Sequence, residues 1–157
     1  MIGALSDTHD CLEPARAAVE LFNEKSVEYV LHAGDVVSPF MIRAVSHLSC
    51  PMYLVYGNND GDRLALKRVF EDAGFSVLGD FGVVDGIALL HGTSPELAVA
   101  VASSELYRLV VCGHTHQPEI RQMEGCTLIN PGECSGVLTG NRTVALISEE
   151  GANIVEI

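Results

Sequence analysis

An α/β fold of two facing sheets with helices outside is what this sequence predicts, and three observations carry the prediction. Apolar strand-like runs alternate with helix-period stretches as far as Ala73, short strands broken by turn signals follow from Phe75, and the last third reads as all strand.

The first run, Ile2 to Ser6, is a strand. Glu13 to Lys25 follows as a helix, with Ala15, Val19, Leu21 and Phe22 on one face and Pro14 in the first turn, where a missing N–H costs nothing. Tyr29 to His32 reads as a buried strand, Pro39 to His47 as a helix and Met52 to Tyr56 as a third strand, giving the β-α-β-α-β order of a parallel, helix-covered sheet. Asp62 to Ala73 is a further helix, with Asp62 near its start and Gly74 just past its end. Val77-Leu78, Phe81 to Val84 and Ile87 to Leu90 are strands, the last two joined by the hairpin signal Asp85-Gly86. A helix from Pro95 to about Ser103 leads to the strand Leu109 to Cys112. From Pro118 the chain reads as strands with turns at Glu124-Gly125, Gly140-Asn141 and Glu150-Gly151, and mixed pairing is expected in this second half.

At 157 residues the chain fits one domain, 1–157, long enough to bury about 68–70% of its unfolded surface. Its 48% hydrophobic and 19% charged residues argue against disorder, and no apolar run reaches the ~18 residues of a membrane helix. The amino terminus has no basic region ahead of an apolar run, so a cytoplasmic location is expected. Five cysteines, none in a C-x-x-C pair, suggest neither a disulfide framework nor a thiolate metal site. The net charge of −12 opposes a grip on a long nucleic acid, whose backbone must be neutralised by Lys and Arg, while a small phosphate ester remains compatible once cations are bound. A mean hydropathy of +0.27 suggests an apolar surface that a second copy would cover, a homo-oligomer.

Polar residues of one chemical kind recur where strands end. Asp7-x-His9 follows the first strand, Gly34-Asp35 the second, Gly57-Asn58-Asn59-Asp60 the third, His91-Gly92 the hairpin strand, and Gly113-His114-Thr115-His116 the run Leu109 to Cys112. Taken singly each has a structural reading: a helix cap, ordinary turn chemistry, a core histidine, two loop histidines. Together they deliver carboxylate, imidazole and amide oxygen to the crevice that a parallel sheet opens at its carboxyl ends. A metal centre is the expectation.

These blocks, in this order between residues 7 and 116, resemble the five-block signature of the calcineurin-like metallophosphoesterase superfamily. Ser6-Asp7-Thr8-His9, the short length and Asn130-Pro131-Gly132-Glu133 are similar to its small YfcE-type phosphodiesterases. The resemblance implies a four-layer αββα sandwich and two divalent ions, one held by Asp7, His9, Asp35 and His116, the other by Asp35, Asn58, His91 and His114. Asp35 bridges them, and His114 and His116 divide between the ions. Such a ligand set suits manganese foremost, with nickel, iron, cobalt or zinc also compatible, and suits magnesium alone less well. It further implies hydrolysis of a small phosphodiester by a dimetal-activated hydroxide, with Asp35, Asn58 and Asn59 in the catalytic machinery and Asn59 and Thr93 toward substrate. Phosphomonoesterase activity and a non-catalytic metal-binding scaffold are the alternatives.

Two positions depart from the family pattern: Asn59 and Thr93 stand where many members carry histidines, and neither is a proton donor at neutral pH. Asp60 is expected to hold its loop or a ligand histidine. Cys11 is expected to pack at a helix start, and Asn130 to Glu133 reads equally as turn punctuation or as pocket wall. Arg16, Arg43 and Arg63 read as solvated helix-surface residues.

Overall fold

Eleven strands build two sheets in the computed structural model, which describes residues 1–157. The first sheet orders β11 (Gly151–Glu156), β10 (Thr143–Ser148), β1 (Ile2–Leu5), β2 (Val30–His32), β3 (Met52–Leu54) and β4 (Ser76–Val77). Strands β1 to β4 run parallel, with Gly3 opposite Val30 and Leu31 opposite Tyr53, whereas β10 lies antiparallel to β1. The second sheet orders β5 (Phe81–Val84), β6 (Ile87–Leu90), β7 (Leu109–Val111), β9 (Cys126–Asn130) and β8 (Glu119–Met123), with β6, β7 and β9 parallel and both edges antiparallel. Both sheets are therefore mixed.

The four layers follow from side-chain alternation. In β1, Ile2 and Ala4 face a core shared with Leu31, Leu89, Val111 and Ile129 between the sheets, while Leu5 faces the opposite way. That outer side is covered by α1 (Leu12–Glu24), α2 (Ile42–Val45) and α3 (Arg63–Asp72), through Phe22, Met41, Ala44 and Leu66. The outer side of the second sheet carries only α4 (Pro95–Ala102), seated through Ala98 and Ala102 on Val110 and Leu128. Asp62 caps α3 by accepting the Ala65 N–H at 3.0 Å. Asp85 and Gly86 take φ of 49° and 76°, the type I′ geometry that matches strand twist. No helix is long and apolar enough to cross a membrane.

Two expectations are corrected. The predicted helix from Pro39 to His47 is a 3-10 turn, Pro39–Met41, running into the single α turn of α2. Only Met41, Ala44 and Val45 are buried there, too narrow a face to hold a longer helix. The last third is not all strand, because residues 131–142 form a loop. The buried Glu133 carboxylate takes the N–H groups of Leu138 and Thr139 and so replaces a neighbouring strand as their partner.

Candidate metal centre

Loops after β1, β2, β3, β6, β7 and β9 meet at the carboxyl ends of their strands and are stitched together by backbone hydrogen bonds. Asp7 N donates to Gly34 O, His9 N to Asp35 O, Gly113 N to His91 O and Ser135 N to Asp7 O, all at 3.0–3.1 Å. The last two bonds close the second sheet's loops and the 131–142 loop over the site. Asp7, His9, Asp35, His114 and His116 all adopt left-handed φ, between 43° and 70°. Such conformations cost of order 1–3 kcal/mol each and cluster where function over-determines the backbone.

Asp60 stabilises part of this arrangement, as expected of it. Its carboxylate accepts the N–H groups of Val37 at 2.6 Å, Gly57 at 2.7 Å and Asp35 at 3.2 Å, which locks the second and third loops together. Burial pushes the Asp60 carboxyl up, and the Gly57 and Val37 amides pull against it. Gly57 is required because a Cβ there would lie 2.1 Å from Asp35 Oδ1, and one at Gly113 would lie 1.9 Å from Ser6 Oγ.

The side chains fall into two halves that meet at the aspartates. In the first, His116 Nε2 lies 3.4 Å and His9 Nε2 3.7 Å from Asp7 Oδ1, and the His9 and His116 rings stack with centroids 5.1 Å apart. In the second, His91 Nε2 lies 3.4 Å from Asp35 Oδ2 and 3.0 Å from Asn58 Oδ1, and the His114 ring stands edge-on to His91 at 5.2 Å. Asp35 Oδ2 is also 3.6 Å from His9 Nε2, so this one carboxylate touches both halves. The seven predicted ligand positions are thus brought together, with His116 beside His9 and His114 beside His91.

The electrostatics suit cations. Burial opposes ionisation of Asp35, but hydrogen bonds from His91 and Asn59 outweigh it and hold the carboxyl far below its usual range. The nearby Asp7 carboxylate raises His9, and the Asp35 charge adds to that against burial. His91 is raised because Asp35 overcomes burial, whereas burial and the neighbouring His91 lower His114. Asp7 Oδ1, His9 Nε2 and His116 Nδ1 are buried atoms without a hydrogen-bond partner. Native proteins rarely leave such groups unmatched, and two of these three atoms converge within the Asp7, His9, His116 cluster as metal ligands do. The residues present therefore fit divalent cations.

Three placements refine the sequence reading. Asn59 donates from its backbone to Asp35 Oδ1 at 2.8 Å and from its side-chain amide to Asp35 Oδ2 at 2.7 Å, so it aims that carboxylate. Thr93 stands exposed beside a cavity of about 450 Å³ that Asn58 and His91 also line. Arg63 is not merely solvated: its guanidinium lies 4.8 Å over the Tyr56 ring and donates to Gly57 O, Asp60 O and Asp80. Cys11 donates to His9 O at 3.5 Å, and burial pushes its thiol up, as expected of a packing residue rather than a nucleophile.

Glu133 was legible only as part of an ambiguous turn. Fully buried, its Oε1 lies 3.4 Å from His116 Nδ1, where it holds the ring from behind. Burial opposes its charge, but Leu138, Thr139 and Ser135 all donate to it and carry its pKa down to about 2. It is an anion at neutral pH.

The sequence profile of the calcineurin-like phosphoesterase superfamily domain matches residues 1–152. A phosphodiesterase of Methanocaldococcus jannaschii is 38% identical over 161 aligned residues, covering 99% of this chain and 97% of its own. The solved structure of a novel archaeal phosphodiesterase superposes with a TM-score of 0.92 at 36% identity over 99% of both chains. YfcE, a phosphoesterase from E. coli, shares the fold at a TM-score of 0.69 and 19% identity, over 99% of this chain and 97% of its own.

Proposed function

This chain belongs to the calcineurin-like phosphoesterase superfamily and is a phosphoric ester hydrolase, and from that premise we propose that it cleaves small phosphodiesters with two divalent cations, manganese foremost. The observation that carries the proposal is Asp35 Oδ2, placed 3.6 Å from His9 Nε2 and 3.4 Å from His91 Nε2, where one carboxylate serves two metal sites. Asp7, His9, Asp35 and His116 hold one cation; Asp35, Asn58, His91 and His114 hold the other. The diesterase identity of the relative at 38% identity supports the choice of ester.

When bound, two such cations would supply Lewis-acid activation of water and of the phosphoryl group at neutral pH. The chain's own residues position and protect that chemistry. His91 Nδ1 donates to Ala33 O at 2.8 Å, so Nε2 is the ring nitrogen turned toward Asn58 and Asp35, where a metal would replace its proton. Glu133 Oε1 faces His116 Nδ1 at 3.4 Å, which leaves His116 Nε2 turned toward Asp7. Asn59 keeps Asp35 aimed and orients phosphate together with Thr93, but neither residue protonates the leaving alcohol. Esters whose alcohol leaves readily are therefore the preferred substrates. Residues 1–157 work as one domain in the cytoplasm, where the five free cysteines stay reduced.

The test is a rate comparison on manganese-loaded protein between an aryl phosphodiester and the matching aryl phosphomonoester. The proposal expects the diester to turn over faster. A faster monoester makes the protein a phosphomonoesterase, and no turnover of either makes it a scaffold.

A further inference from the structure

Two cavities of similar size border this end of the molecule, and only one meets the candidate ligands. The cavity beneath α4, about 420 Å³, is walled by Val99, Cys112 and Leu128 on the outer face of the second sheet and contains none of the seven ligand positions. The other, about 450 Å³, has Asn58 and His91 in its wall, together with Tyr56, Arg63, Thr93 and Leu97. Its volume lies within the roughly 300–1,000 Å³ of small-molecule sites.

We infer that this second cavity is the subsite for one alcohol portion of the ester, an uncharged ring-sized group, aryl or sugar, with one apolar face. The inference rests on the phosphodiesterase reading and adds the character of the alcohol to it. The charge of the cavity decides first. Away from the metal-facing His91, Arg63 is its one basic side chain, and Asp80 Oδ1 holds Nη1 at 2.8 Å, so the pair presents little net charge and offers no second phosphate a dedicated partner. Arg63 is also rigid, because Gly57 O, Asp60 O and the Tyr56 ring fix it from three further directions. Of its five N–H donors three are engaged, which leaves two for the hydroxyl or ether oxygens of a bound ring.

The apolar face is supplied by Leu97. It projects from the first turn of α4 at 53% exposure, a large aliphatic side chain in the wall of a cavity it does not fill. Thr93 adds a hydroxyl to the same wall. A phosphate seated at Asn58 and His91 would therefore have one ester arm pointing along Leu97 and Arg63. Since neither Asn59 nor Thr93 donates a proton, an aryl arm that leaves unaided is the occupant best matched to the chemistry.

The test measures dissociation constants, by titration calorimetry, of benzylphosphonate, whose P–C bond is not hydrolysed, and of inorganic phosphate on manganese-loaded protein, for wild type, Leu97→Gln and Leu97→Trp. Glutamine keeps the helix and removes the apolar face; tryptophan fills the cavity. The ratio of the two constants, phosphonate over phosphate, is expected to rise about tenfold in both variants, the low end for one lost apolar contact. An unchanged ratio overturns the subsite. Failure of the wild type to hydrolyse any diester would instead count against the proposed function, while the ratio would still report on the cavity.

Discussion

The two halves of the metal centre differ in how well they satisfy themselves. Around Asp35, His91 bonds to Asn58 and Ala33, and Asn59 bonds twice to the carboxylate, so the polar atoms have partners within the protein. Around Asp7, the carboxylate Oδ1 and His9 Nε2, both on the side facing the ligands, are buried without one. A buried unsatisfied polar group costs about 1–3 kcal/mol. The Asp7 half therefore gains more from a cation than the Asp35 half, which must first give up its own hydrogen bonds.

The sharpest way to break that contrast is to remove one histidine from each half. His116→Ala should lower the metal content from two ions per chain to about one, and His91→Ala should do the same from the other half, as counted by elemental analysis. Equal loss of both ions in each variant would show that the halves do not act separately.

His32 lies beneath both halves. Its Nδ1 accepts the Gly34 N–H and its Nε2–H donates to Thr8 Oγ1, each at 3.2 Å, so protonation breaks the bond under the Asp35 loop. Burial pushes its pKa down to about 4. Between that value and the ordinary 6.5 the unfolded chain binds more protons, so stability falls as pH falls through this window, by about 3 kcal/mol in all. Urea midpoints from pH 4 to 7 in chelator should show this slope in wild type and a shallower one in His32→Gln. Identical slopes would remove His32 from the account.

Removing either cation comes next in size. Saturation at 100 times the dissociation constant stabilises the fold by about 2.7 kcal/mol per site, and chelation should lower Tm accordingly. Glu133→Gln should weaken metal binding about 10–100-fold by releasing His116. Titration calorimetry would place that loss in one of two sites, and an equal loss in both would contradict a role through His116 alone.

How much of this was legible in the sequence depended on how local the cause was. Asp7, His9, Asp35, Asn58, His91, His114 and His116 stood out because each directly follows an apolar strand, and parallel strands bring such ends together. Asp60 was legible for the same reason. Glu133 was ambiguous because its contact with His116 forms only when residues 131–142 turn back as a loop between two strands. Arg63 looked like any helix-surface arginine, since its partner Asp80 lies beyond β4, in the connection to β5. The short α2 was over-read because its apolar residues suit a longer helix than the layer has room to bury.

The central claim is that Asp35 joins two cation sites into one hydrolytic centre. Elemental analysis and aryl phosphodiester hydrolysis on manganese-loaded wild type and Asp35→Ala test it most directly. The account predicts two ions per chain with manganese-stimulated turnover in the wild type, and loss of both in the variant; hydrolysis by Asp35→Ala at the wild-type rate would contradict it.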